Sequence, residues 1–215
     1  FMAPISIMPF YNFTQSTKSV TFYIPNYFGS GNPYLIGSRF GDKLYGSSGM
    51  DEINGWYGND RIYGNDGNDI LHGGDGYDII YGGNDGDLIF GGNHDDTLYG
   101  ENGRDAIQGD AGNDTAYGGA DNDYVYGNDG MDFLSGDEGH DVVDGGNDDD
   151  TLNGGDGDDT VFGGNGWDRL YGDAGNDYLD GGEGYNWLEG GEGDDVFAGG
   201  IGGDGYKILT LRKQY

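Results

Sequence analysis

Residues 163–180 read GGNGWDRLY followed by GDAGNDYLD, two nonapeptides in one phase, and residues 73–81 read GGDGYDIIY in the same phase. From Gly37 to Lys207 the chain keeps this phase without an insertion, 171 residues in nineteen units of nine. The first position is Gly in all nineteen units, and the fourth is Gly in fourteen, replaced by Phe40, Asp85, His94, Asp121 and Asp148. The sixth is Asp in eighteen, with Asn186 the exception. The eighth is apolar from Leu44 onward, weakening only to Ala116 and ending in Tyr206. A period this short and regular is the signature of a solenoid, in which each unit buries its apolar side chain only by stacking on its neighbours.

Physical reasoning assigns a role to each constant position. Glycines at positions one and four are expected to let the backbone take positive φ and to approach the neighbouring turn closely. The last three residues of each unit read as a short strand with its middle side chain inward and the flanking two outward. Two units complete one coil, so units of equal parity stack about 4.8 Å apart, the strand spacing of a sheet. The sixth-position acids then form two columns. Odd-numbered units contribute Asp42, Asp60, Asp78, Asp96, Asp114, Asp132, Asp150, Asp168 and Asp204. Even-numbered units contribute Asp51, Asp69, Asp87, Asp105, Asp123, Asp141, Asp159, Asp177 and Asp195. Neighbouring carboxylates at this spacing repel by roughly 0.9 kcal/mol even in water. One apolar residue in nine is a thin core to set against two such columns, so a cation must supply the missing cohesion. Calcium suits the position, since it takes 6–8 oxygens from carboxylates and carbonyls in flexible geometry, whereas magnesium demands a tighter octahedron. One ion per gap between stacked units gives about 17 calcium ions, nine gaps in one column and eight in the other. The block carries all 40 acids and six bases, a net −34 that such a complement would neutralise.

The pattern resembles the repeats-in-toxin (RTX) family, the haemolysin-type calcium-binding nonapeptides of form G-G-x-G-x-D-x-U-x. The resemblance spans the 171 residues of the block. It implies an all-β fold, a right-handed parallel β-roll or β-solenoid with two short parallel sheets and calcium in the turns. It also makes the eighteen sixth-position aspartates the metal ligands.

Composition narrows the function. With 40 acids against 9 bases and a net charge of −31, the surface is unsuited to DNA, RNA or anionic lipid, whose phosphates are held by Lys and Arg. There is no Cys, hence neither disulfides nor a thiolate metal site. No apolar run approaches the roughly 20 residues that span a membrane. The sequence starts at Phe1, which reads as a processed chain or a fragment. No catalytic constellation emerges. His72, His94 and His140 occupy the ninth, fourth and fifth positions of separate units and form no zinc motif. In the pair Asp158–Asp159, the phase gives Asp159 to the metal column and leaves Asp158 as an exposed turn residue. The chain is read as a non-enzyme.

Outward positions point toward interactions. Tyr45, Tyr63, Tyr81, Tyr99 and Tyr117 recur at the ninth position of successive odd units, and Tyr171 follows later. Ile70, Leu88, Tyr124, Val142, Tyr178 and Val196 occupy seventh positions of even units. Such rows either support one another across strands or face a partner. A flat face also suits ice, but its hydroxyl row is short: Thr97 and Thr115 align, Phe133 interrupts, and Thr151 stands alone.

Three segments follow. Residues 1–36, free of acids and rich in aromatics, form an N-terminal cap or an assembly arm; residues 37–207 form the calcium roll; residues 208–215 are a short tail. The leading expectation is a secreted or surface-displayed structural protein, a surface-layer or filament subunit that associates with itself end to end or laterally. The alternatives are a calcium-folding module of a larger secreted enzyme or toxin, and an adhesin or ice-binding region with a surface or glycan ligand. An extracellular location follows from calcium supply, because extracellular calcium modules bind at about 10⁻⁴–10⁻³ M.

Overall fold

A computed structural model describes residues 10–12, 21–23, 34–203 and 205–207. Every ladder is parallel and joins residues 18 apart through the block: Ile70 pairs with Leu88, Leu71 with Ile89 and His72 with Phe90, while Ile79 pairs with Thr97 on the other side. Two nonapeptides therefore make one coil, and units of alternate parity build two parallel sheets. Strands of even units, such as Ile70–Asp75, Leu88–Asn93 and Tyr124–Asp129, fall in the larger sheet; Arg61–Asp66, Ile79–Asn84 and Thr97–Asn102 fall in the other. The family-level expectation of an all-β solenoid with two parallel sheets holds.

The strands are longer than the pattern indicated. Most run six residues, from the seventh position of one unit through the third of the next, as in Thr115–Ala120. The reason lies at the corner. Positive φ falls at positions two and four, for instance Gly74 (108°) and Gly76 (151°), and not at position one. The first-position glycine stays extended and lets the strand continue past it. Where position four departs from Gly, Asp85, His94, Asp121 and Asp148 take φ of 74–81°; Asp and His are among the side chains that tolerate this region best.

The core is a double file of eighth-position side chains. From Leu44 to Leu188 each is fully shielded, and Leu35 extends the file at 1 % exposure. The ladder thus reaches N-terminally of Gly37: Tyr34–Ile36 pairs with Glu52–Asn54, Phe10–Asn12 pairs with Tyr34–Ile36, and Thr21–Tyr23 pairs with Lys43–Tyr45. Phe22 packs against the end of the core. The remainder of 1–36, Asp204 and the 208–215 tail lie outside the described residues. Among the described residues, Val196–Ala198 and Gly205–Lys207 are the last strands of the two main ladders.

The outward tyrosines pack on each other. Tyr23, Tyr45, Tyr63, Tyr81, Tyr99 and Tyr117 form one face-to-face stack with centroids 4.7–5.3 Å apart and planes within 12°. His72 stacks on Phe90 in the other sheet at 4.7 Å.

Candidate metal centres

The sixth residue precedes each strand, with its carboxylate turned into the corner. One oxygen is fully used. The backbone N–H of Asp114 donates to Asp132 Oδ1 at 2.7 Å, and that of Asp132 donates to Asp150 Oδ1 at 2.8 Å. The same bond links each coil to the next, from Asp42 N–H on Asp60 Oδ1 (2.6 Å) to Asp177 N–H on Asp195 Oδ1 (3.2 Å). The sixth-position carbonyl is paired too, as Thr151 N–H donates to Asp132 O at 2.9 Å.

The other oxygen is not used. Oδ2 is shielded from solvent and has no hydrogen-bond partner in fifteen aspartates: Asp60, Asp69, Asp78, Asp87, Asp96, Asp105, Asp114, Asp123, Asp132, Asp141, Asp150, Asp159, Asp168, Asp177 and Asp195. A buried carboxylate oxygen without a donor is costly, and native folds rarely leave one so. Its surroundings complete the account. A Cβ built on Gly73 would lie 2.5 Å from Asp78 Oδ2 and 2.5 Å from the Gly91 carbonyl oxygen one coil on. At Gly91 the same pair, Asp96 Oδ2 and Gly109 O, stand at 2.6 and 2.7 Å. Position one is Gly because a carboxylate oxygen and a carbonyl oxygen converge on the space its side chain would fill. The sequence recorded this as an invariant glycine and offered turn carbonyls to calcium without saying which; the structure singles out the first-position carbonyl as the candidate.

Electrostatics point the same way. Burial pushes these carboxyls up, and flanking carboxylates add to the rise, although the N–H on Oδ1 opposes it. Asp60 reaches about 9; Asp87, Asp96, Asp123 and Asp150 reach about 8; Asp69, Asp114 and Asp177 reach about 7. Asp78, Asp105, Asp132, Asp159 and Asp168 reach about 6, and Asp141 is raised as well. Without a cation, much of each column would hold protons at neutral pH. A divalent ion held by these oxygens would take the protons' place and offset the mutual repulsion of the column.

The residues fit calcium better than a softer metal. Among the described residues no three carboxylate or imidazole side chains converge on one point, so an ion here draws on backbone carbonyls, which suit a hard cation of variable coordination. Three positions depart from the pattern. Asp42 Oδ2 accepts the Ser38 N–H at 2.6 Å, and Asp51 Oδ2 accepts the Ser47 N–H and hydroxyl. Asn186 Nδ2 donates to Gly181 O at 2.6 Å. The histidines are engaged locally: His94 Nδ1 lies 2.6 Å from Asn93 O, and His140 Nδ1 accepts the Asp158 N–H at 2.7 Å.

Parallel sheets, a single-residue core and columns of cation-ready corners define a class, the calcium-stapled repeat solenoids. The family described as RTX calcium-binding nonapeptide repeat matches this chain in ten overlapping segments that together run from residue 29 to 206, and the chain belongs to it. Proteins with such repeats are typically secreted. Comparison with curated sequences gives no match. Among solved structures, a hyperactive, Ca2+-dependent, β-helical antifreeze protein from an Antarctic bacterium aligns with a TM-score of 0.52 at 20% identity, covering 93% of this chain and 82% of that one. At that identity the likeness concerns the fold.

Proposed function

We propose that this chain is a secreted structural rod that folds on meeting extracellular calcium and associates with further copies of itself, with no catalytic role. The ions lie between successive coils, each held by sixth-position Oδ2 atoms and first-position carbonyls. The observation that carries this reading is the set of fifteen shielded Oδ2 atoms without a donor. They leave the solenoid incomplete where calcium is scarce and complete where it is millimolar, which sets both the compartment and the moment of folding.

Two features favour a structural role. The solenoid takes up nearly all of the described chain, about 10 coils with a length near 45 Å. Its larger sheet also carries an outward stripe at Ile70, Leu88, Ala106, Tyr124, Val142, Thr160, Tyr178 and Val196 that contains no charge. An ice-binding role, suggested by the antifreeze neighbour, calls for a regular hydroxyl row. Here Thr97 and Thr115 pair in register, and the next residue in the column is Phe133.

The test is sedimentation and electron microscopy of the full chain in millimolar calcium and in chelator, with thermal hysteresis measured on the same samples. Rods that assemble with calcium and dissolve on chelation are expected. A chain that remains monomeric at high concentration in calcium overturns self-association, and a freezing hysteresis would move the assignment to ice.

A further inference from the structure

Asn186 occupies the place of a metal-facing aspartate, and its surroundings differ from every other corner of its column. Its Oδ1 does what each aspartate's does, accepting the Asp168 N–H at 2.8 Å. Its Nδ2 stands where Oδ2 stands elsewhere: a Cβ on Gly181 would meet Asn186 Nδ2 at 2.8 Å, with no carbonyl of the following coil among its nearest atoms. That nitrogen donates to Gly181 O at 2.6 Å. The same Gly181 oxygen is the carbonyl facing the corner of the preceding coil, 2.7 Å from a Cβ on Gly163 beside Asp168 Oδ2 at 2.6 Å. One amide therefore affects two gaps. It puts an N–H where the Gly181 corner needs an oxygen, and it engages the carbonyl that the Gly163 corner would offer.

The backbone of this corner is closed as elsewhere in the roll. The turns Asn165–Gly166, Glu183–Gly184 and Ile201–Gly202 pair in parallel register, and other turns are joined by a fourth-position N–H on a third-position carbonyl of the next coil, as Gly76 on Asn93 and Gly157 on Ala174. This corner also has a side-chain bond, with Asp180 Oδ1 accepting the Gly182 N–H at 3.1 Å.

We infer that the coil junction at residues 181–186 is a metal-independent joint, in which the Asn186 amide takes the place of the ion, so that the calcium ladder of this column stops short of it. The other column continues past the same height, since Asp177 and Asp195 both keep an unpartnered Oδ2. The rod is then stapled on one side only near its C-terminal end. This inference rests on the calcium reading of the remaining corners.

The test compares calcium stoichiometry, by elemental analysis of the gel-filtered protein, in the wild type, Asn186→Asp and Asp177→Asn. Asn186→Asp should gain one or two ions, and Asp177→Asn should lose one or two. An unchanged stoichiometry in Asn186→Asp beside a loss in Asp177→Asn overturns the joint while leaving the calcium reading intact. A wild type that binds no calcium instead overturns the reading beneath it. Because Asn186→Asp places an acid against the Gly181 carbonyl and can misfold, hydrogen exchange on the wild type supplies a second arm. Amides of 181–186 should keep their protection at calcium concentrations where those of 145–150 lose it; joint loss at one concentration overturns the inference.

Discussion

Replacing Asp132 by Asn should reverse its effect on stability according to whether calcium is present. Asp132 Oδ1 holds the Asp114 N–H, a bond that an amide oxygen reproduces as Asn186 does at its own position. The substitution therefore acts through Oδ2 alone, the oxygen without a donor. Asp132 lies between two gaps of its column, so its loss removes one or two ions. With affinities of about 10⁻⁴–10⁻³ M and calcium at about 10 mM, each ion contributes about 1.4–2.7 kcal/mol, so Asp132→Asn should cost about 1.4–5 kcal/mol. In chelator the sign inverts. Burial holds the Asp132 carboxyl near 6, so forming the ion-free coil at neutral pH carries a penalty on the order of 2 kcal/mol that Asn lacks. Urea unfolding monitored by circular dichroism measures the first case. The second is measured by osmolyte-induced folding in chelator, because an excluded osmolyte makes the ion-free solenoid observable. Equal destabilisation in both conditions would refute the reasoning, since the side chain would then matter for packing and not for the ion. Asp158→Asn is the control: this carboxylate is exposed and accepts only the Asn176 N–H and side-chain amide, and calcium stoichiometry should not change.

Without calcium, acid should take the cation's place. Thirteen of the sixth-position carboxyls, from Asp60 to Asp177, have folded values of about 6 to 9, above their unfolded value near 3.9, so their contribution is complete below about pH 4 and is lost as pH rises through 6 to 9; circular dichroism in chelator should show β structure at acidic pH that disappears toward pH 9, and a flat profile would contradict the raised values. Gly91→Ala brings a Cβ within 2.6 Å of Asp96 Oδ2 and 2.7 Å of Gly109 O and should cost about 1–3 kcal/mol together with calcium. Gly49→Ala, where no atom lies within 4 Å, should stay within about 0.5 kcal/mol, as thermal melts in calcium can show. Tyr81→Ala removes two stacking contacts, at 5.1 Å to Tyr63 and 4.9 Å to Tyr99, and should lose about 1–3 kcal/mol beyond burial; a double-mutant cycle with Tyr99 measures the coupling.

The period of nine made most of the architecture legible, because two of its constant positions admit one physical reading each. An apolar eighth residue can only be the core, and all of Leu44 through Leu188 are shielded. An in-phase acid at the sixth position must face its copies one coil away. Glycine was harder to read, since it can mean positive φ or close approach. Positions one and four were assigned both, and the structure gives both to position four, where Gly76 has φ of 151° and a Cβ would meet Gly58 O at 2.0 Å, but only close approach to position one; positive φ recurs instead at position two. Trp56 and Glu101 take φ of 77° and 75° at second positions, so residue type there disguised the turn. The N-terminal strand was out of phase: Thr21 pairs with Lys43 at an offset of 22 residues, where the block uses 18, and the sixth tyrosine of the stack, Tyr23, was invisible to any search by period. Ser38 and Ser47, which satisfy the first two aspartates, carry no motif that announces it.

The coil of two unlike halves has a genetic corollary. A duplication or loss of 18 codons adds or removes one whole coil, about 4.8 Å of length, and leaves each remaining residue on its original face. Excising residues 82–99, for example, would bring Tyr117 directly beside Tyr81 in the tyrosine stack. A change of nine codons would exchange the two sheets for everything downstream and set the tyrosines in line with His72 instead. The protein can therefore be shortened or extended like a ruler cut only at whole graduations, and its length can evolve in even steps while the character of each face is inherited intact.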